Sequence, residues 1–137
     1  MSIEPTPSVL KSLAAATAVR RVAHAPYSNY FVGAAIRTVG EALFTGCNVE
    51  NRSYGLTICA ERVAVTAAVA AGERAFAHLA LALPGPQPPC GACLQVLAEF
   101  CDDLPIWLVD PDQDTAPRLL RLAELLPQRF VLEADEG

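Results

Sequence analysis

Apolar and small residues follow a helical period at the start of the chain and a strand-like density soon after, and the switches between them mark the elements. Ser8 can cap a first helix that runs to about Ala25, with Leu10, Leu13, Thr17 and Val22 roughly on one face and Pro26 closing it. Residues 31–39 are rich in β-branched and small side chains, Gly40-Glu41 supplies a turn, and 43–49 reads as the return strand of a hairpin. Residues 59–71 are Ala-rich and helical, with Gly72 as a natural stop. A buried strand is predicted over 76–83, ended by Pro84-Gly85-Pro86, then a helix over 90–100 and a short strand over 106–109 before the Asp110-Pro111-Asp112 turn. In 118–126 the leucines recur at helical spacing and predict a last helix. This order implies an α/β domain with helices on a mixed sheet, and no repeat, low-complexity tract or charge block divides residues 1–137.

Composition narrows the function. Hydrophobic residues make up 53% of the 137 and charged residues 18%, enough apolar surface for a packed core. The formal charge is -5, and no basic cluster extends beyond Arg20-Arg21. Gripping a phosphate backbone requires Lys and Arg, so a small substrate is expected in place of nucleic acid. Residues 1–7 lack the basic and apolar runs of a signal peptide, and the small-residue stretch 63–71 is too short to span a bilayer. A cytoplasmic protein is expected. Five cysteines are an odd number, and in a reducing compartment thiols serve metal, catalysis or packing. Cys47 and Cys101 read as small core residues.

The other three cysteines carry the chemistry. Cys59 opens one predicted helix and Cys90-Gly91-Ala92-Cys93 opens the next. If the two helices pack side by side, three thiols meet where the helix termini favour thiolate. Three thiolates suit a tetrahedral zinc with Zn–S near ~2.3 Å and leave its fourth position open to water. Neither His24 nor His78 lies beside them in sequence, although either, brought close, would close the shell. Glu61, two residues past Cys59, cannot point the same way and is free to shuttle a proton, the layout of zinc-dependent deaminases. Arg62 is placed to hydrogen-bond the sulfurs and offset their excess negative charge. A Cys-x-x-Cys alone would equally suit a structural zinc half-site or a redox pair; a redox pair would not need Cys59.

Longer motifs surround these residues. Tyr27-Ser28, Val32 to Ala35, Gly46 to Asn51, Ser53 to Arg62, Pro89 to Cys93, Gln95-Val96-Leu97 with Glu99-Phe100, and Glu124 to Pro127 together resemble the small homotetrameric cytidine deaminases. The resemblance implies zinc held by Cys59, Cys90 and Cys93, Glu61 as proton shuttle, and hydrolysis of cytidine and 2′-deoxycytidine in pyrimidine salvage. It further implies Asn48 and Glu50 as a ribose-binding pair, the Ala60 N–H as a contact to the pyrimidine carbonyl, and Tyr30 in the place of a phenylalanine against the base. Asn48 and Glu50 suit their role physically, because alternate strand positions share a face. Tyr54 and Phe130 match residues that reach a neighbouring subunit's site; without the family, either aromatic would read as core packing. The implied fold is a three-layer α/β/α sandwich with a five-stranded mixed sheet, which turns part of 117–122 into a strand before a short helix at Glu124, against the leucine periodicity.

The sequence departs from that pattern at the pocket rim. Tyr30 replaces phenylalanine, Phe31 a proline, Leu94 an arginine and Val131 a glycine, and Arg52 stands where a small residue is common. Arg52 is either solvated or selects a substrate with negative charge near the 5′ end of the sugar. The alternatives are a deaminase of a modified cytosine nucleoside such as blasticidin S, whose group lacks the Asn48-Val49-Glu50-Asn51 and Tyr54 to Thr57 runs, and a non-catalytic zinc module, which would not need Glu61. A polynucleotide deaminase would need a basic or aromatic groove that a pI near 4.9 does not favour.

Overall fold

The computed structural model describes residues 3–133. The chain runs through α1 (Pro7–Val19), the hairpin β1 (Gly33–Thr38) and β2 (Leu43–Cys47), α2 (Ala60–Ala70), β3 (Phe76–Ala82), α3 (Gly91–Phe100), β4 (Pro105–Val109), β5 (Arg118–Arg121) and α4 (Leu122–Leu125). The strands form one five-stranded mixed sheet in the order β2-β1-β3-β4-β5. Only β3 and β4 are parallel, joined through α3 as a crossover. Alternation along the strands sorts the core into two layers. Ala34, Ile36, Leu79 and Leu81 pack with α2 and α3, whereas Ala35, Ala80, Ala82 and Trp107 pack with Val9, Leu13 and Ala16 of α1.

The first helix differs from expectation at both ends. Its cap is Thr6, whose Oγ1 accepts the Val9 N–H at 3.2 Å; Ser8 lies inside the helix, behind Pro7. The buried stripe is Val9, Ser12, Leu13 and Ala16, so Leu10 and Val22 are exposed. The α-helix stops at Val19 and a single 3-10 turn follows, because His24 leaves to pair with the chain beyond β2. Its N–H donates to Asn48 O at 3.0 Å and its carbonyl accepts the Glu50 N–H at 2.8 Å.

Residues 118–126 are likewise not one helix. Arg118 to Arg121 pair antiparallel with β4, and only Leu122–Leu125 is helical, as the resemblance implied. Leu119 joins the α1 layer and Leu120 the opposite layer, a division of neighbours that a strand makes and a helix does not.

Two features position the helix starts. A Cβ on Gly46 would lie 2.5 Å from Ala64 N and 2.7 Å from Ala60 O, so the missing side chain lets α2 cross β2 with backbones in contact. After β3, a strap of residues 84–89 contains four prolines and turns back to deliver Cys90 to the start of α3. Among the described residues no helix is long and apolar enough to cross a membrane.

Candidate active site

Cys59 and Cys90 are the N-caps of α2 and α3, and Cys93 lies in the first turn of α3. Neither cap makes a side-chain capping bond, which leaves both sulfurs free. The three Sγ atoms lie within 4.8 Å of one another, with Cys59 and Cys90 4.0 Å apart and Cys90 and Cys93 3.5 Å apart. A regular tetrahedron with Zn–S near ~2.3 Å spaces its sulfurs by about 3.8 Å, so this donor set fits zinc with little movement. Among the described residues no fourth metal-binding side chain joins the cluster. His78 is on the sheet beneath α1, 2.8 Å from Ser12 Oγ, and His24 pairs its backbone with Val49.

Electrostatics favour a thiolate at Cys59, with Cys93 as its thiol donor. Hydrogen bonding from the Cys93 thiol, then from Arg62, holds Cys59 well below the ordinary thiol range; the same bond to Cys59, with burial, pushes Cys93 up. Arg62 Nη2 is 3.6 Å from Cys59 Sγ and 3.4 Å from Thr57 O, while its Nε is buried with no acceptor. The fold therefore puts one guanidinium beside the sulfurs, partly at the expense of its own solvation.

Glu61 is 6% exposed at the second position of α2 and looks into a cavity of about 200 Å³. Burial, followed by the charge of Cys59, raises its carboxyl to about 7. A carboxyl poised there can take up or release a proton at neutral pH. Tyr30, Asn48, Ala60, Cys59 and Cys90 line the same cavity. Ala60 is the first residue of α2, so its N–H has no acceptor within the helix. The phenol of Tyr30 is pushed up by burial and by Glu61, and its hydroxyl donates to Pro84 O at 3.1 Å.

An outer cavity of about 370 Å³ shares Thr57 with the inner one and is lined by Tyr27, Ser28, Glu50 and Tyr54. Asn48 thus borders the inner chamber and Glu50 the outer. Both side chains also hold one arch of backbone, residues 27–32. Asn48 Oδ1 accepts the Val32 N–H at 2.9 Å and its Nδ2 donates to Tyr30 O at 2.7 Å. Glu50 Oε1 accepts the N–H groups of Tyr27 and Ser28 at 3.0 and 3.2 Å, and Oε2 accepts the Ser28 hydroxyl. These bonds hold the Glu50 carboxyl below its usual range. Tyr54 is 77% exposed and meets Tyr27 edge-on at 6.2 Å. Phe130 is 74% exposed and lies apart, over α3, where its carbonyl accepts from Gln95 Nε2.

Three residues at the site carried no individual role in the sequence reading. Ser28 bridges Glu50 to the Tyr30 N–H, Thr57 borders both chambers, and Gln87 lines the inner one from the strap. The proline run was the available signal for Gln87, because a segment so poor in donors has to be tied down by side chains. Cys101 is buried as expected of a small core residue, and Cys47 is half-buried.

Comparison with known proteins agrees with this geometry. Residues 9–107 match the zinc-binding region of cytidine and deoxycytidylate deaminases. The chain is 41% identical over 128 residues to a cytidine deaminase of Sporosarcina psychrophila, covering 91% of this chain and 93% of that one. It is 42% identical over 122 residues to the cytidine deaminase of Mycobacterium tuberculosis, covering 86% of each. Among solved structures, the cytidine deaminase of Burkholderia pseudomallei superposes with a TM-score of 0.82 at 44% identity, over 88% of this chain and 98% of that one. With a match over most of its length and three thiols gathered where two helices begin, the chain belongs to the zinc-binding cytidine and deoxycytidylate deaminase family.

Proposed function

We propose that this protein hydrolyses cytidine and 2′-deoxycytidine to uridine and 2′-deoxyuridine, consuming one water and releasing one ammonia. The observation that carries the reading is Glu61, buried at the wall of a small chamber beside three thiols placed to hold a metal, with its carboxyl raised to about 7. Cys59, Cys90 and Cys93 would hold the zinc. Bound there, it supplies a Lewis acid that lowers the pKa of water at its open position. Glu61 accepts the water's first proton and hands it to the ring nitrogen, then takes the second from the hydroxyl newly formed at C4 and delivers it to the departing amine as the C4 carbonyl forms. The Ala60 N–H donates to the pyrimidine carbonyl, and the ring of Tyr30 forms the apolar wall beside the base. Asn48 and Glu50 take the sugar. Each keeps hydrogen-bonding capacity beyond the bonds it gives the arch, since a carboxylate has about four acceptor sites and an amide four in all.

The nucleoside divides between the chambers. The inner one is smaller than the ~300–1,000 Å³ of most ligand sites and suits a single ring, which puts the sugar at the junction, between Asn48 of the inner chamber and Glu50 of the outer. Five free cysteines fit a reducing, cytoplasmic setting. The exposed Tyr54 and Phe130 support a homotetramer with shared sites.

The test is an assay of zinc-loaded protein on cytidine, deoxycytidine, their 5′-monophosphates and blasticidin S, beside Glu61→Gln. Turnover of the two nucleosides with a loss of at least ~10²-fold in the variant is expected. Turnover of none of these compounds would refute the enzyme, and deamination indifferent to Glu61→Gln would refute the mechanism. A preference for the monophosphates would point to Arg52, and for blasticidin S to the sibling activity.

A further inference from the structure

We infer that the hydroxyl of Tyr30 is a positioning group: it clasps the proline strap 84–89 against the arch 27–32 and so sets the inner chamber's rim and the seat of Cys90. The inference rests on the proposed reaction for its kinetic consequence only. Residues 84–89 are Pro84-Gly85-Pro86-Gln87-Pro88-Pro89, so only Gly85 and Gln87 carry a backbone N–H. Such a segment cannot pair as a strand, and it has to be tied through its carbonyls by donors from elsewhere. The structure supplies such ties. The Tyr30 hydroxyl donates to Pro84 O at 3.1 Å, Arg118 Nη1 to Pro86 O at 3.3 Å, and the Gly85 N–H reaches Asp110 Oδ2 at 2.9 Å.

Of these ties, only the one from Tyr30 comes from a residue lining the inner chamber, and its other end is rigid. The Tyr30 N–H donates to Ser28 Oγ at 3.0 Å, and its carbonyl accepts from Asn48 at 2.7 Å. Glu50 holds the foot of the arch. The strap side contributes Gln87 and Pro88 to the chamber wall and leads directly into Cys90. With its hydroxyl engaged by Pro84, Tyr30 offers the chamber the face a phenylalanine would, while doing for the strap what phenylalanine cannot. A loosened strap has to be reordered each time the base enters. That cost falls equally on the bound substrate and the transition state, so it raises KM more than it lowers kcat.

Tyr30→Phe and Arg118→Ala are compared with wild type for KM and kcat on cytidine, and for the rate at which zinc passes to a chromophoric chelator. Losing one hydrogen bond should raise KM about three- to tenfold in Tyr30→Phe, with a smaller fall in kcat and several-fold faster zinc release. Arg118→Ala, which touches the strap on its outer side, should shift both readouts in the same direction. Wild-type values of both in Tyr30→Phe would overturn the inference. So would a fall confined to kcat in Tyr30→Phe with Arg118→Ala silent, because the hydroxyl would then act on substrate and not on the strap. If no nucleoside is turned over by wild type, the proposed function fails and the zinc-release arm still decides the clasp.

Discussion

Arg62 brings a cation to a cluster that otherwise concentrates negative charge. Three thiolates around a Zn2+ would leave one net negative charge and weaken the metal as a Lewis acid; a guanidinium 3.6 Å from Cys59 Sγ is placed to withdraw part of it. A hydrogen bond to a charged group contributes about 1.5–3 kcal/mol, so Arg62→Ala should lower kcat/KM by roughly tenfold or more. Stability should change far less, because the substitution also removes a buried Nε that has no acceptor. Zinc content, kcat/KM and a thermal melt on one preparation check this; full activity with zinc retained would contradict it. That three sulfurs converge was legible in the sequence, since a cysteine opening one helix and a Cys-x-x-Cys opening the next leave few ways to pack. The bonds that Asn48 and Glu50 give the arch were not legible. Their partners lie 16 to 23 residues away, and the arch turns on Asn29 at φ 57°, a conformation no periodicity reports.

At the scale of elements, sequence periodicity failed where two residues decide between helix and strand. Leucines at 119, 120, 122, 125 and 126 satisfy a helix, yet pairing with β4 claims the first two. The docking of α1 shows the opposite case, a polar contact invisible to any hydrophobic pattern. Ser12 of α1 is fully buried and meets His78 of β3 at 2.8 Å; Arg37, opposite His78 on β1, and Glu41 of the hairpin turn are its charged neighbours. Burial, then Arg37, lowers the pKa of His78. The unfolded chain therefore binds a proton near pH ~6.5 that the folded chain refuses. This contribution to stability is complete above that pH and is lost as pH falls through it. Melting temperatures at pH 7.5, 6.5 and 5.5 should show wild type losing stability relative to His78→Gln, which carries no titrating ring. Parallel curves would show that His78 takes up its proton in the folded state. The lowered carboxyls of Glu50, Asp103 and Asp110 respond below this window, and Glu61, which titrates inside it with the opposite sign, is common to both proteins and drops out of the difference.

At the scale of the whole molecule, large apolar side chains stand exposed in two segments. Tyr54, Leu56, Val49 and Ile58 are exposed around the outer chamber, and Phe130, Val131 and Leu132 project from the C-terminal segment at 70–81% exposure. Exposed apolar residues gathered in two segments suit a partner surface, and in the proposed homotetramer a second copy would present both. If Phe130 of one subunit completes its neighbour's site, the two defects Phe130→Ala and Glu61→Gln lie in different chains and can compensate. In a 1:1 mixed assembly, half the sites keep Glu61, and about half of those receive Phe130 from the other parent, so roughly a quarter of wild-type activity should return. The two variants are co-expressed with different tags, purified through both, and assayed against each parent alone. Activity no greater than the sum of the parents would place Phe130 in its own subunit's service, and a single-subunit mass on sizing would remove the shared site altogether.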